Sequence, residues 1–296
     1  MNQFLVKSLH FLFSTIFTFI LLKKFIPLLK KIIPAMPSGR GMHNIAKPSS
    51  GGVSFVFIYS LLAIYQGFYL PLFSLPMSIV GLVDDKFNIS KLFRFSTQVI
   101  TLLIIIFYLK NAEVNLASTF TNYGFWGYFI LLLFGTSIIN FINFMDGIDG
   151  LISGSMIVIF LTLNGEFHYL LPIIGTLTAF LYFNWYPSKI FMGDAGSLYL
   201  GTYLTSLMYS NLGIISNFKI LLLCSPLFLD AVICITRRLI NKKNIFKAHK
   251  SHLYQRLVSN GLKHSVVASI YISAIALLSL FYLFSTTLNL FIMSFL

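Results

Sequence analysis

Apolar segments close to bilayer length recur along the whole chain, and that recurrence restricts the fold more than any motif does. The run WGYFILLLFGTSII at 126–139 is one example. Crossing a membrane takes about 20 predominantly apolar residues as a helix, and hydrocarbon offers the backbone no water to bond, so each crossing segment must satisfy its own N–H and C=O groups. Hydrophobic residues make up 57% of the 296 and charged residues 10%, against about 25% charged in soluble domains. A soluble core has no room for that much apolar surface. The expected fold is all-α: a polytopic transmembrane helical bundle.

Hydropathy places spans at roughly 4–22, 51–69, 71–83, 96–109, 126–144, 150–163, 168–185, 196–211, 218–236 and 264–284. The tail TTLNLFIMSFL reads as a half-span or an interfacial stub, which makes ten to eleven spans in one integral-membrane domain. The first segment, FLFSTIFTFILL, ends in Lys23 and Lys24 with no small-residue cleavage site, so it reads as a retained helix and not a removable signal. Cys224 and Cys234 fall in one apolar segment and read as buried small residues with no disulfide or metal role.

Lysine and arginine are not evenly shared between the connections. Those at about 29–50, 84–95, 186–195 and 237–263 hold most of them, while the opposite set has little beyond Lys110 and Lys219. Positive charge favours the cytoplasmic side, so the N-terminus is expected outside and these connections, with 144–150, inside. The same bias accounts for the net charge of +13 without nucleic acid. Anionic membrane lipids suit the most basic connection, RRLINKKNIFKAHKSHLYQRL.

Against that background the acids are sorted. There are eight, and all six aspartates (Asp84, Asp85, Asp146, Asp149, Asp194 and Asp230) fall at or near the cytoplasmic ends of spans, on four separate connections. The orientation rule concerns Lys and Arg and largely ignores Asp and Glu. Six carboxylates on one face beside clustered cations therefore read as one site assembled from distant segments.

Each motif suggests a role. In GLVDDKFNIS, Asp84 and Asp85 repel each other and favour a nearby cation or proton. In NFINFMDGIDGL, the groups Asn140, Asn143, Asp146 and Asp149 recur every third residue, a step of about 60° on a helix. Gly147 and Gly150 make a break there and allow convergence on one pocket; the plainer alternative is an Asp-Gly turn with capping aspartates. In NWYPSKIFMGDAGSLYLG, Asp194 stands between Gly193 and Gly196 with Ser197 at a helix start, where small residues and N–H groups suit a metal–phosphate complex. Lys189 is either an interface anchor or a phosphate contact. His249, His252 and Arg256 offer donors for phosphate, as do Arg40 and His43 in PSGRGMHNIAKPSSGGV. Asp230, with Arg237 two turns beyond, reads as a supporting carboxylate behind the site or as half of an ion pair.

Carboxylates without cysteines argue for Mg²⁺ or Mn²⁺, the surrounding Arg, Lys and His for a phosphorylated substrate, and apolar walls for a lipid one. The class is phosphoryl transfer at the cytoplasmic membrane face. An ion-coupled transporter using the aspartates as relays is the competing class, but relay residues usually sit near the bilayer midplane and not at span ends. A non-catalytic membrane scaffold is the third.

Taken in order, RGMHNIAKPSSGG, GLVDDKFNIS, NFMDGIDGL, FMGDAGSLYLG, PLFLDAVICITRR and HKSHLYQRL resemble the polyprenyl-phosphate N-acetylhexosamine-1-phosphate transferases (glycosyltransferase family 4) over nearly the whole chain. The resemblance implies a bacterial plasma-membrane enzyme of ten or eleven helices. It would use Mg²⁺ held by Asp194, with Asp84, Asp85, Asp146 and Asp149 as the catalytic carboxylates. The implied reaction moves a sugar 1-phosphate from a UDP-N-acetylhexosamine to undecaprenyl phosphate and releases UMP. His252 fits the first of a family histidine cluster in which Tyr254 and Gln255 replace others; this form resembles the O-antigen or capsule branch, often served by deoxy-N-acetylhexosamines. Whether two copies pair as a homodimer is left open.

Overall fold

A computed structural model describes residues 3–35, 46–111, 115–167, 169–211, 213–244 and 249–293. In chain order, α1 is Gln3–Ile32, a two-residue antiparallel bridge pairs β1 (Pro34–Ala35) with β2 (Lys47–Pro48), and α2 is Gly52–Tyr65. A 3₁₀ turn, Leu70–Ser74, then leads into α3 (Leu75–Phe87), followed by α4 (Lys91–Leu109), α5 (Leu116–Thr121) and α6 (Phe125–Met145). The remainder comprises α7 (Leu151–Leu163), α8 (Leu171–Asn184), α9 (Asp194–Ser210), α10 (Ile214–Leu223), α11 (Ser225–Ile240), α12 (Leu253–Ser259) and α13 (His264–Met293).

The bundle is built around α9, in which every residue from Ala195 to Tyr209 is buried. With no outward face, its polar side chains bond to their own helix: the hydroxyls of Thr202, Thr205 and Ser206 donate to the carbonyls of Leu198, Gly201 and Thr202 at 2.7, 2.8 and 2.9 Å. Farther along, the Tyr203 and Tyr59 hydroxyls pair at 2.5 Å between α9 and α2. Helices α3 and α6 pack directly on α9. The approach of α3 depends on Gly81, since a Cβ there would lie 2.3 Å from the Asp194 carbonyl carbon. Only a glycine lets the end of α3 meet the start of α9. The outer helices show lipid-facing stripes instead; on α1, Leu9, Leu12, Phe13, Ile16, Phe17 and Ile20 are exposed at helical spacing.

The chain is a multi-pass membrane protein, and its expected spans divide into two kinds. Val6–Ile32, Lys91–Leu109, Phe125–Met145 and His264–Ser285 are long and apolar enough to cross, and α10 with α11 makes a fifth candidate. The other expected spans are helices of 13 to 17 residues. At about 1.5 Å per residue these fall short of a full crossing; α9, buried from Ala195 to Tyr209, meets protein and not lipid along that length. The segment expected at 218–236 is not one helix: it bends by 77° between Leu223 and Ser225, where Pro226 opens the second part. The tail expected to be a stub continues α13 as far as Met293.

Candidate active site

Asp84 and Asp85 occupy the last turn of α3, which runs through Phe87 and does not stop at a loop before them. Neighbouring helical residues step by about 100°, so the paired carboxylates diverge. Asp84 accepts the Ile89 N–H at 2.9 Å and Arg94 Nη1 at 2.9 Å. Asp85 accepts the backbone N–H of Asp194 at 3.0 Å and the Ser50 hydroxyl at 2.5 Å.

Asp194 begins α9. One of its oxygens accepts Arg94 Nη1 at 2.6 Å, the other Asn143 Nδ2 at 2.9 Å. The same Asn143 amide donates to Ser197 Oγ, also at 2.9 Å. Gly193 precedes it with φ +73°, and a Cβ there would lie 2.2 Å from Asp85 Oδ2. Left-handed backbone and lack of space both require glycine at this position. Strand-like bonds from the Gly51 and Gly52 N–H groups to the Phe191 and Met192 carbonyls, at 2.9 Å each, lay Ser50 alongside.

Three carboxylates thus meet at one end of the bundle, joined by a guanidinium from α4 and an amide from α6. They remain accessible: the side chains of Asp84 and Asp194 are 17% and 28% exposed. Burial and the Asp194 charge push the Asp85 carboxyl up to about 7. Burial also raises Asp194, only partly offset by Arg94 and Asn143. Asp146, in the turn after α6, is raised well above the ordinary carboxylate value by burial and then by the charges of Asp194, Asp85 and Asp149. Among the described residues its carboxylate has no hydrogen-bond partner. An all-oxygen donor set crowded by like charge fits a hard divalent cation.

The other expected site residues separate from this cluster. Of the four groups read as converging in NFINFMDGIDGL, Asn143 bonds Asp194 directly and Asp146 faces it through charge. Asn140 instead pairs its amide with Gln98, at 3.2 and 3.4 Å, and ties α6 to α4. Asp149, 2% exposed at its side chain, accepts the Ser188 N–H at 3.1 Å and lies 3.5 Å from Lys47 Nζ and 3.6 Å from His264 Nδ1. Burial alone would raise its carboxyl; His264, Ser188 and Lys47 outweigh that and hold it below its ordinary value. The Lys189 ammonium lies 5.9 Å from the Tyr182 ring centroid, as an interface anchor would, and among the described residues it contacts none of the carboxylates. Asp230 caps α12 by accepting the Leu253 and Tyr254 N–H groups at 2.7 and 3.1 Å, with His252 Nδ1 3.4 Å away and Tyr271 donating at 2.6 Å. His249 stacks on His252, ring centroids 5.3 Å apart, and Arg256 is exposed on α12. Arg40 and His43 lie outside the described residues.

Arg94 and Ser50 were not singled out by the motifs. A signal for Arg94 existed in FNISKLFR: Asn88 ends α3 in left-handed conformation and Ser90 caps α4, accepting the Phe93 N–H at 3.2 Å. So short a link returns the first turn of α4 to the last turn of α3. Nothing local marks Ser50, because its partner is 35 residues away.

The chain matches the family described as glycosyl transferase family 4 over residues 67–211. It is 31% identical to a probable undecaprenyl-phosphate N-acetylglucosaminyl 1-phosphate transferase of Bacillus subtilis, across 77% of this chain and 70% of that one. It is 32% identical to an undecaprenyl-phosphate alpha-N-acetylglucosaminyl 1-phosphate transferase of Thermotoga maritima, across 75% and 72%. A phospho-N-acetylmuramoyl-pentapeptide-transferase of Kosmotoga olearia is 31% identical across 55% of this chain and 60% of its own.

Proposed function

The chain belongs to glycosyl transferase family 4, the polyprenyl-phosphate N-acetylhexosamine-1-phosphate transferases, and on that premise we propose that it moves an N-acetylhexosamine 1-phosphate from a UDP-sugar to undecaprenyl phosphate at the cytoplasmic face of a bacterial plasma membrane. The observation that carries this reading is the meeting of Asp84, Asp85 and Asp194 under Arg94 and Asn143. A transporter relay has no observation in its favour, since the carboxylates stand at helix ends.

Asp194, Asp84 and Asp85 are the residues that would hold Mg²⁺ or Mn²⁺, which when bound supplies charge neutralisation on the diphosphate oxygens as UMP departs. Arg94, on two of these carboxylates, is placed to turn one N–H toward a phosphoryl oxygen and take up charge formed there. Asn143 holds the Asp194 carboxylate against Ser197 in one orientation, and Asp85 is held by Ser50 and the Asp194 N–H. The lipid phosphate has a second pKa of about 6 and is mostly dianionic at neutral pH, so its oxygen attacks the sugar-linked phosphorus with little need of a base. The phosphorus–oxygen bond to UMP breaks as the new bond forms. Any residual proton on the lipid phosphate would pass to one of Asp84 and Asp85.

The test is UMP release by the purified chain in detergent with undecaprenyl phosphate and a panel of UDP-sugars. UDP-N-acetylglucosamine comes first, as the relatives' names suggest, followed by the deoxy sugars expected from HKSHLYQRL. Asp194→Asn should remain folded and lose divalent-dependent transfer. Substantial turnover by that variant, or no UMP from any sugar with the parent chain, would overturn the reading. Inversion at an isotopically chiral β-phosphorus would favour direct attack over an aspartyl-phosphate route.

A further inference from the structure

Among the described residues, three that carry side chains have a positive φ: Asn88 at +50°, Lys242 at +53° and Ser50 at +60°. Asn88 ends α3 and Lys242 follows the end of α11, where a left-handed residue commonly closes a helix. Ser50 closes none. It lies just ahead of α2 and is fully buried. A Cβ is disfavoured in this conformation, for which glycine is the default. The two glycines that follow serve space instead: a Cβ on Gly51 would lie 2.6 Å from Ile190 Cδ1, and one on Gly52 2.3 Å from Gly196 Cα. Gly51 itself has an ordinary φ of −59°. The chain thus keeps a serine at the position whose backbone favours glycine.

That serine is not a helix cap, the usual reason for one ahead of a helix, because no side chain caps α2. Its hydroxyl donates instead to Asp85 Oδ2 at 2.5 Å, and Asp85 Oδ1 accepts the Asp194 N–H at 3.0 Å. The terminal torsion of an aspartate is broad and roughly two-fold, so a single donor leaves the carboxylate plane free to turn. Two donors from different segments set it. Gly193 leaves the room they need: a Cβ there would lie 2.2 Å from Asp85 Oδ2 and 2.7 Å from the Ser50 nitrogen.

We propose that Ser50 is a positioning residue for transfer: its hydroxyl, presented by a strained left-handed backbone, fixes the orientation in which Asp85 meets the metal or the phosphate. This role rests on the transferase reading above and deepens it. Strain of this kind persists where the surrounding structure enforces it, and it gathers where it serves a mechanism. The backbone on both sides of Ser50 is pinned, Ser49 N–H donating to the Ile33 carbonyl at 3.0 Å and Gly51 N–H to the Phe191 carbonyl at 2.9 Å. Strain and hydroxyl can be separated by substitution. Glycine removes both; alanine removes the hydroxyl alone. A serine that served only the fold would make turnover follow stability across the two variants, whereas a positioning serine makes turnover fall in both alike.

The experiment compares Ser50→Gly and Ser50→Ala with the parent chain, purified in detergent, by melting temperature and by UMP release with undecaprenyl phosphate and Mg²⁺ in excess. The glycine variant should melt above the alanine variant, because relief of left-handed strain outweighs glycine's extra freedom in the unfolded chain. Both should lose ~10- to 100-fold in kcat, as for a group misplaced by up to about 1 Å, with KM for the UDP-sugar little changed. Glycine suits the native backbone, so that variant folds and carries the test if the alanine variant does not. Parental kcat in either variant, a rate that recovers in Ser50→Gly in step with its melting temperature, or equal melting of the two variants overturns the proposal. A parent chain that releases no UMP from any UDP-sugar overturns the transferase reading and this role with it.

Discussion

Arg94→Gln tests whether the carboxylate cluster is held by charge. The substitution removes the one guanidinium shared by Asp84 and Asp194, at 2.9 and 2.6 Å, and leaves their crowding with Asp85 in place. At an effective dielectric of about 20, unit charges ~4 Å apart attract by about 4 kcal/mol. Desolvation and water return most of that, so a charge-assisted hydrogen bond nets about 1.5–3 kcal/mol. Exposures of 17% to 28% place these pairs at the lower end, and with solvent screening discounted the two together should contribute about 2 kcal/mol. The assay is the unfolding free energy of the purified chain, first in EDTA and then with excess Mg²⁺. A divalent ion at 100 times its dissociation constant stabilises by about 2.7 kcal/mol, and it should stabilise the variant more than the parent, because the variant lacks the competing internal cation. The expected pattern is a deficit of about 2 kcal/mol in EDTA that narrows in Mg²⁺. Equal stability of both chains in EDTA, or a deficit that Mg²⁺ leaves unchanged, would refute the reasoning.

Other outcomes follow from the same geometry. Gly81→Ala places a Cβ 2.3 Å from the Asp194 carbonyl carbon, so it should cost about 1–3 kcal/mol by overpacking and lower turnover by pushing α3 from α9; unaltered stability and rate would show that the approach is not needed. Asp149 has its folded carboxyl below the ordinary 3.8, so it adds stability that is present above pH 3.8 and lost as pH falls through the lower folded value. Asp149→Asn should therefore lower stability near neutrality by about 1–3 kcal/mol and flatten the acid limb of a stability–pH curve, and an identical limb in the variant would remove Asp149 from that account. Replacing Asp84 and Asp85 singly by Asn should give large rate losses with UMP release as the readout; parental rates in both would take the pair out of the mechanism.

The aspartates illustrate what was legible without a fold. Charge is scarce in an apolar chain, and no topological rule draws carboxylates to one side. Asp84, Asp85 and Asp194 therefore stood out by position alone, and the structure brings them together. Asp149 stood out equally, yet its neighbour relations differ: the turn after Asp146 carries it to Lys47, Ser188 and His264. Spacing along the chain records direction around a helix, but it is silent once glycines break the helix.

Composition and the order of motifs were enough for an all-helical membrane bundle and for its family, because hydropathy and residue type belong to each segment whatever its neighbours. Only tertiary packing decided that Arg94 bridges two aspartates, that Ser50 holds Asp85 and that α9 is enclosed on every side. Those contacts join residues 10 to 109 positions apart. They arise from how segments approach one another, through the glycine at the α3–α9 contact and the short turn between α3 and α4, a property of pairs of surfaces that no single segment contains.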